Sequence, residues 1–383
     1  MCGRFAQGIN LNNIPSEFYE TVTGEDNEIN EPSDGIYEAE TPGANDPTDK
    51  IQLDISRVSQ WTPSCNIAPT NTALMVYMSQ PQPGISQSYI VEPSKFGLVP
   101  AWAKPEDPTP VNKGKQNEGE KYSRELGKHE SKYFNCRRES LAQHRAVWSS
   151  CKKHRCVIPI QGYFEWHKIN NEKIPYFIHS KSAPLIFLAG FYSHNYNYKD
   201  NFNVGDEYFS SFTVITAPAE KSDKYDLSWL HTRKTLVIEP GSKAWFQWLD
   251  PSRDWDDSLI EEVLNSKTNE AYANIEVYRV SNDVGNPSNK SESVLKKVSD
   301  KTASSVSDFF KPKKEKDVKK VKQEPEEKGR EPEVKAEGDA HESRIKQEPG
   351  EKGREPEVKI EDEAPPCKRT LHGRDDSSKK VKK

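Results

Sequence analysis

The sequence predicts an α+β fold: a single domain on a largely antiparallel, barrel-like β core with a few short helices, followed by a disordered C-terminal tail. Three observations predict it. Short apolar runs bounded by Gly, Pro and polar clusters recur through the first 289 residues, and helical periodicity is scarce there. Aromatic residues then all but stop. Of 8 Trp, 15 Tyr and 14 Phe, only Phe309 and Phe310 lie within 290–383, a stretch with 26 basic and 22 acidic residues. Such a segment cannot bury enough apolar surface to offset its chain entropy.

In chain order, "ALMVYM" (73–78), "RCVIPI" (155–160), "GYFEW" (162–166), "PYFIHS" (175–180), "PLIFLAGFY" (184–192), "SSFTVIT" (210–216), "KTLVIE" (234–239) and "NIEVYRV" (274–280) read as strands by length and by β-branched or aromatic content. "DDSLIEEVL" (256–264) places apolar residues at 259, 260, 263 and 264 behind acidic first-turn residues, which predicts a helix. "PSEF" (15–18) and "ESLAQH" (139–144) predict shorter ones. Two segments read as inserted surface loops. Residues 16–54 hold 12 acids and one base, Lys50, and about 104–132 is polar and rich in Lys and Glu. Residues 1–289 carry 29 bases against 38 acids, but the excess sits in the first insert, so net charge leaves room for a basic binding face.

Six cysteines (2, 65, 136, 151, 156 and 367) occur with neither a signal peptide nor a long apolar run, which predicts a reducing compartment, no membrane span and no disulfides. Cys151, His154 and Cys156 are spaced closely enough to suggest a metal. No second pair follows, so buried thiols are the preferred reading, with no metal or cofactor expected.

Each polar motif is weak alone. Asn135 in "NCRRES" suits a helix start. Glu165 in "GYFEW" lies among aromatics, so its carboxyl either pairs with a base or has a raised pKa suited to a general acid. His231 and Arg233 in "WLHTRKTLVI" are two residues apart and share a strand face. "MCGR" puts Cys2 directly behind Met1. Removal of Met1 would leave an α-amine and a thiol, both nucleophiles, on adjacent carbons.

Taken together and in order, MCGR, "APT" (68–70), "FGLVPAW" (96–102), "NCR", "RCVIP", "GYFEW", "PYFI", "AGFY" and "HTR" resemble the SOS response-associated peptidase (SRAP) family over about residues 1–285. The resemblance implies a protein of the DNA-damage response that crosslinks itself through Cys2 to the aldehyde of an abasic site in single-stranded DNA. It implies that Asn135 contacts the cysteine or sugar, that Glu165 is the acid/base, and that His231 assists ring opening. Arg4, Arg137 and Arg233 would bind phosphates, and Trp166 would act as a wedge beside the lesion. Rival readings are a cysteine peptidase or autopeptidase, with Cys2 as nucleophile, His231 as base and Glu165 as orienter, and a noncatalytic reader of modified DNA.

Three departures from the family pattern stand out. Thr232, Lys234 and Thr235 replace an Asp and a Met-Pro pair around His231 and Arg233, which leaves the orientation of His231 open. Cys65 stands where Tyr is common, and Cys136 replaces the usual Ala of "NAR". The opening cysteine has a chemical rationale under this resemblance. An aldehyde condenses with an amine to an imine, and only an N-terminal cysteine holds a thiol where it can close a five-membered thiazolidine ring.

In the tail, "VKQEPEEKGREPEVKAE" (321–337) and "IKQEPGEKGREPEVKIE" (345–361) repeat with a period of 24 residues. Lys322, Lys335, Lys346 and Lys359 each sit in a tetrapeptide resembling the attachment consensus for the small ubiquitin-like modifier. Val306, Phe309 and Phe310 resemble a sliding-clamp-binding peptide whose usual first Gln is Ala303. Basic clusters at 311–314, 367–369 and 379–383 read as nuclear-import signals, so nuclear localisation is expected. A monomer is expected.

Overall fold

In this computed structural model the described residues are 2–298, apart from 24–33, 41–49, 60, 81, 107–121, 144 and 202–206. All tail features from Val306 onward therefore lie outside the described residues. The strands are β1 (Phe5–Gln7), β2 (Ile36–Glu40), β3 (Lys50–Asp54), β4 (Ser64–Ile67), β5 (Thr72–Met78), β6 (Ile85–Phe96), β7 (Asn135–Arg137), β8 (Arg155–Ile160), β9 (Gly162–Ile169), β10 (Glu172–Ser180), β11 (Ile186–Asn195), β12 (Phe209–Pro218), β13 (Arg233–Thr235) and β14 (Ile275–Arg279). The helices are α1 (Ile14–Thr23), α2 (Ser123–Lys132), α3 (Ala146–Ser149) and α4 (Lys243–Leu249). No described helix is long and apolar enough to cross a membrane.

The larger sheet runs β13-β12-β11-β8-β5-β6-β3-β2, and a parallel pairing of β12 with β6 closes β6, β5, β8, β11 and β12 into a barrel. The α+β, barrel-like expectation holds. Alternation along each strand divides the core. Met75, Cys156, Ile158, Leu188, Phe212 and Val214 fill the barrel, while Leu74, Val76, Val157, Phe187, Ala189 and Ile215 point outward beneath α1 and α4. Cys156 faces inward and Cys151 packs in the outer cluster, so the two thiols belong to different parts of the core. One end of the barrel is polar. Burial alone would raise the Glu92 carboxyl, but hydrogen bonds from His194 Nε2 (3.0 Å) and Tyr208 Oη (2.9 Å) and the His194 charge outweigh it and hold the pKa low.

The second sheet has the order β14-β10-β9-β1-β4 and lies against the other end of the barrel. Its joint to the barrel is the Gln7 side chain. Antiparallel register aligns Val76 with Val157, which puts Leu74 opposite Pro159, and proline has no N–H for the ladder. Buried Gln7 fills that gap: Nε2 donates to Leu74 O (2.8 Å) and Pro159 O (2.7 Å), and Oε1 accepts from Leu74 N–H (2.8 Å).

The acidic segment 16–54 is not wholly a loop. Pro15 in the first turn suits the start of α1, whose Phe18 packs edge-on against Tyr89 and Phe187, and β2 and β3 extend the large sheet with Ile51 and Leu53 buried. A few well-spaced apolar residues outweigh the net charge. Within 104–132, residues 123–132 form α2, with Leu126 buried. Gly97 lets α2 approach: its φ is +129°, and a Cβ there would lie 2.3 Å from the Glu130 carbonyl oxygen. The helix expected over 256–264 is present over 257–263, its last five residues, Leu259–Val263, widened to a π-turn, and the described part of 139–144 is a short 3-10 turn, Arg138–Ser140, continued by turn residues 141–143. Packing continues past residue 289. Cys65 N–H donates to Lys290 O (3.1 Å), Val294 is buried against the outer face of the small sheet, and Val298 N–H donates to Arg279 O (2.9 Å). A single apolar residue in each turn is enough to hold this strap, too sparse a pattern to stand out from a charged tail.

Two outcomes follow from this packing. Gln7→Leu leaves three buried backbone groups unpaired at about 1–3 kcal/mol each, so urea denaturation should show a loss of roughly 3–9 kcal/mol; a loss below about 1 kcal/mol would mean that water mends the gap. A chain ending at residue 289 should melt about 4–10 °C below one ending at residue 311, because it loses the Val294 contact; equal melting temperatures would make the strap dispensable.

Candidate active site

Three elements converge where the small sheet meets the barrel. Leading into β1, which is hydrogen-bonded on both sides, Cys2 is 1% exposed and belongs to the same cluster as Phe5 and Tyr163. From β7, parallel to β12, Asn135 donates from Nδ2 to the Cys2 carbonyl at 2.8 Å. Its Oδ1 is buried without a hydrogen-bond partner among the described residues. From β9 comes Glu165, buried on the same sheet face as Tyr163, as strand alternation requires.

Burial and the nearby Glu165 carboxylate push the Cys2 thiol up to about 12. It is therefore a neutral thiol near pH 7. Tyr163 is likewise raised by burial.

His231 lies just before β13, with Nε2 3.9 Å from Glu165 Oε1, an ion-pair distance when the ring is protonated. Its orientation does not need the missing aspartate. His231 Nδ1 faces the Arg233 backbone, 3.0 Å from its N–H and 3.1 Å from its carbonyl oxygen, so either tautomer finds a partner there and the ring is held with Nε2 on the Glu165 side. The other departures are accommodated close by. Lys234 is buried in an ion pair with Asp223 (2.8 Å), and the buried Thr235 accepts at its carbonyl from the Tyr272 hydroxyl.

The expected phosphate contacts divide. Arg4 donates from Nη1 to Asn66 Oδ1 (2.9 Å) and Val284 O (2.8 Å) and lies 5.8 Å from the Trp166 ring centroid, so it holds the 282–289 strap. Asn66 reinforces this with bonds from Nδ2 to the Asn286 and Asn289 carbonyls. Arg233 forms a two-pronged pair with Glu139 (2.7 and 3.0 Å) and also donates to Thr216. Arg137 instead is exposed, on the wall of an open cavity of about 640 Å³. Trp102, Lys132, Tyr133, Arg145 and Trp148 share that wall with Asn135. The sequence reading missed Trp102, Lys132 and Arg145. Trp102 lies inside the quoted "FGLVPAW", and its exposure is the signal that only the fold supplies.

No group of three or more His, Cys, Asp or Glu side chains among the described residues is arranged to hold a metal. The residues that converge offer a thiol, an amide, a carboxyl and an imidazole beside a basic, aromatic cavity. That set can add a nucleophile to a carbonyl carbon and move the protons involved.

Similarity to known proteins agrees with this arrangement. The chain is 29% identical over 318 residues to the abasic site processing protein YMR114C of Saccharomyces cerevisiae, covering 83% of this chain and 72% of that one. It is 25% identical over 221 residues to the abasic site processing protein HMCES of Xenopus tropicalis (51% of this chain, 57% of the relative). It is 24% identical over 229 residues to the abasic site processing protein YobE of Bacillus subtilis (60% and 85%). The profile of the SOS response associated peptidase (SRAP) family matches residues 1–287, and the chain belongs to that family.

Proposed function

We propose that this protein captures the ring-opened aldehyde of an abasic site in single-stranded DNA as a covalent adduct on Cys2, shielding the lesion from strand cleavage. The observation that carries the reading is the bracketing of buried Cys2 between Asn135 and the Glu165–His231 pair. After removal of Met1, the Cys2 α-amine attacks the aldehyde carbon to give a carbinolamine. Glu165 takes the remaining proton from the carbinolamine nitrogen and delivers it to the hydroxyl, which leaves as water, and an imine remains. The thiol then adds across the C=N bond, sulfur to carbon and its proton to nitrogen by way of Glu165, closing the thiazolidine. One water is lost overall. Asn135 fixes the Cys2 carbonyl, and its unpartnered Oδ1 is an acceptor for an amine N–H. His231, with Nε2 on the Glu165 side, assists opening of the sugar ring.

The thiol's environment favours this order over the peptidase reading. A hydrolytic cysteine works as a thiolate and is set where its pKa falls. Here burial and the Glu165 charge raise it. Phosphates are assigned to Arg137, with Lys132 and Arg145 lining the same cavity. Trp166, stacked on Arg4, retains the wedge role, and Arg233 would have to exchange Glu139 for a phosphate. Nuclear localisation, attachment of the small ubiquitin-like modifier at Lys322, Lys335, Lys346 and Lys359, and clamp binding through Val306, Phe309 and Phe310 remain part of this proposal, all in segments outside the described residues.

Denaturing gels and mass spectrometry test the chemistry. The mature protein should begin at Cys2, and its adduct with abasic single-stranded DNA should weigh the sum of both less one water. Cys2→Ala should give no stable adduct, and one residue inserted ahead of Cys2 should abolish it nearly as completely; a full yield from the insertion variant would exclude the thiazolidine. Noncovalent binding alone by the wild type would favour the reader.

Glu165→Gln should slow adduct formation about 10²–10⁴-fold with DNA affinity retained. The same change removes the negative charge that raises the Cys2 thiol, so alkylation between pH 7 and 10 should run faster than in the wild type. Slower or unchanged alkylation would show that the carboxylate does not act on the thiol.

A further inference from the structure

Resting on that reading, we propose a nucleobase subsite on the β9–β10 hairpin, formed by Trp229, His167 and Tyr176, with a phosphate contact at Lys168 and Lys173. Trp229 is 45% exposed, an unusual setting for an indole. It is not on a loose loop: the Leu230 and His231 N–H groups both return to the Leu227 carbonyl, and Asp226 Oδ1 accepts from the Ser228 N–H at 2.7 Å. Its ring meets Tyr176 edge-on at 5.4 Å and His167 at 5.7 Å. Tyr176 is the direct cross-strand partner of Glu165, and Trp229 is two residues before His231. A rigid, half-open aromatic corner therefore adjoins the acid/base pair. It is distinct from the cavity carrying Arg137, whose wall contains none of these three rings.

The hairpin itself supplies the second observation. Lys168 and Lys173 are directly opposed across β9 and β10, both exposed, and among the described residues neither has a carboxylate within ion-pair distance. Like charges in that position destabilise a hairpin by up to about 1 kcal/mol unless an anion sits between them. They lie on the Trp166 face, whereas Glu172 at the tip shares the aromatic face. A base on the aromatic side and its phosphate on the lysine side satisfy both charges. Beyond Phe164 the described residues provide no strand partner for the outer edge of β9, so a nucleic acid strand can pass from one face to the other. Stacking of a base on exposed aromatics is tolerant of sequence, as capture of a lesion at any site demands.

The test uses the full chain and labelled single strands with an unreactive tetrahydrofuran nucleotide in place of the abasic site, read by fluorescence anisotropy. Nucleotides flanking it are replaced one at a time by a baseless spacer. At one flanking position the spacer should weaken wild-type binding about 5- to 150-fold, the range for loss of one stacked base. Trp229→Ala should weaken the intact strand to the same degree and show no further loss at that position, and Trp229→Phe should restore most of the affinity. Independent, multiplicative losses at every position would overturn the stacking subsite. Lys168→Gln with Lys173→Gln should reduce the slope of log affinity against log salt by about 0.7 per phosphate contact removed, and an unchanged slope would overturn the lysine contact. Because the strand is unreactive, failure of the wild type to form adducts on true abasic DNA would defeat the covalent reading while leaving these couplings measurable.

Discussion

The two sheets are held in register by a side-chain amide standing in for a missing backbone hydrogen bond. Pro159 interrupts the ladder between β5 and β8, where a five-strand barrel can least spare it, and Gln7 supplies the donor that the proline lacks together with an acceptor for the Leu74 N–H. The repair comes from another sheet. Closing the barrel and docking β1 are therefore one event, and a defect in either is a defect in both. The residue two positions before Gln7, Phe5, packs on Phe96 at 5.1 Å, so the same docking carries the first residues of the chain into the barrel mouth.

The rest of the site follows from that placement. With β1 fixed, β4 and β9 pair on its two sides, and β9 delivers Glu165 to the face that Cys2 occupies. Asn135 arrives from the barrel through β7, and His231 from the segment entering β13, so no single element builds the constellation. Arg4 and Asn66 tie the 282–289 strap across the back of the small sheet. Residues far apart in sequence must pack before any of the site exists, and a buried carboxylate can then sit close enough to the thiol to set its protonation.

Much of this was legible before the fold was known, and the reason is local. Seven of the eight expected strands carry dense β-branched and aromatic runs and appear with ends shifted by a few residues, while "KTLVIE" narrows to the short β13. The joining strands β1, β4 and β7 were not legible, because three or four residues leave no periodicity to read. Helix α4 escaped because "KAWFQWL" is as aromatic as a strand. What makes it helical is Ser242, which accepts from the Trp245 N–H, and Arg155, which donates to the Trp248 and Asp250 carbonyls at its other end. Cys2, Asn135, Glu165 and His231 were named from motif order, and the structure brings them together. The orientation of His231 was illegible for a different reason: the Arg233 backbone does that work, and backbone groups leave no mark in a sequence.

Charge shows the same limit more sharply. Arg4, Arg137 and Arg233 look alike as letters, yet the first is spent on an asparagine and a carbonyl, and the third on a carboxylate at 2.7 Å. Pairing with Glu139 holds Arg233 in a fixed pose but also cancels its field, so an incoming phosphate must displace a carboxylate to use it. An arginine without such a partner makes no such exchange. Positive charge therefore gathers on the cavity wall where Arg137, Arg145 and Lys132 stand beside Trp102 and Glu139, with Asn135 as the residue common to that wall and to Cys2. A strand drawn into the cavity by its phosphates would meet the residue that holds Cys2 in place. The chain can thus be acidic overall and still present a basic wall that ends at Asn135, the residue hydrogen-bonded to Cys2.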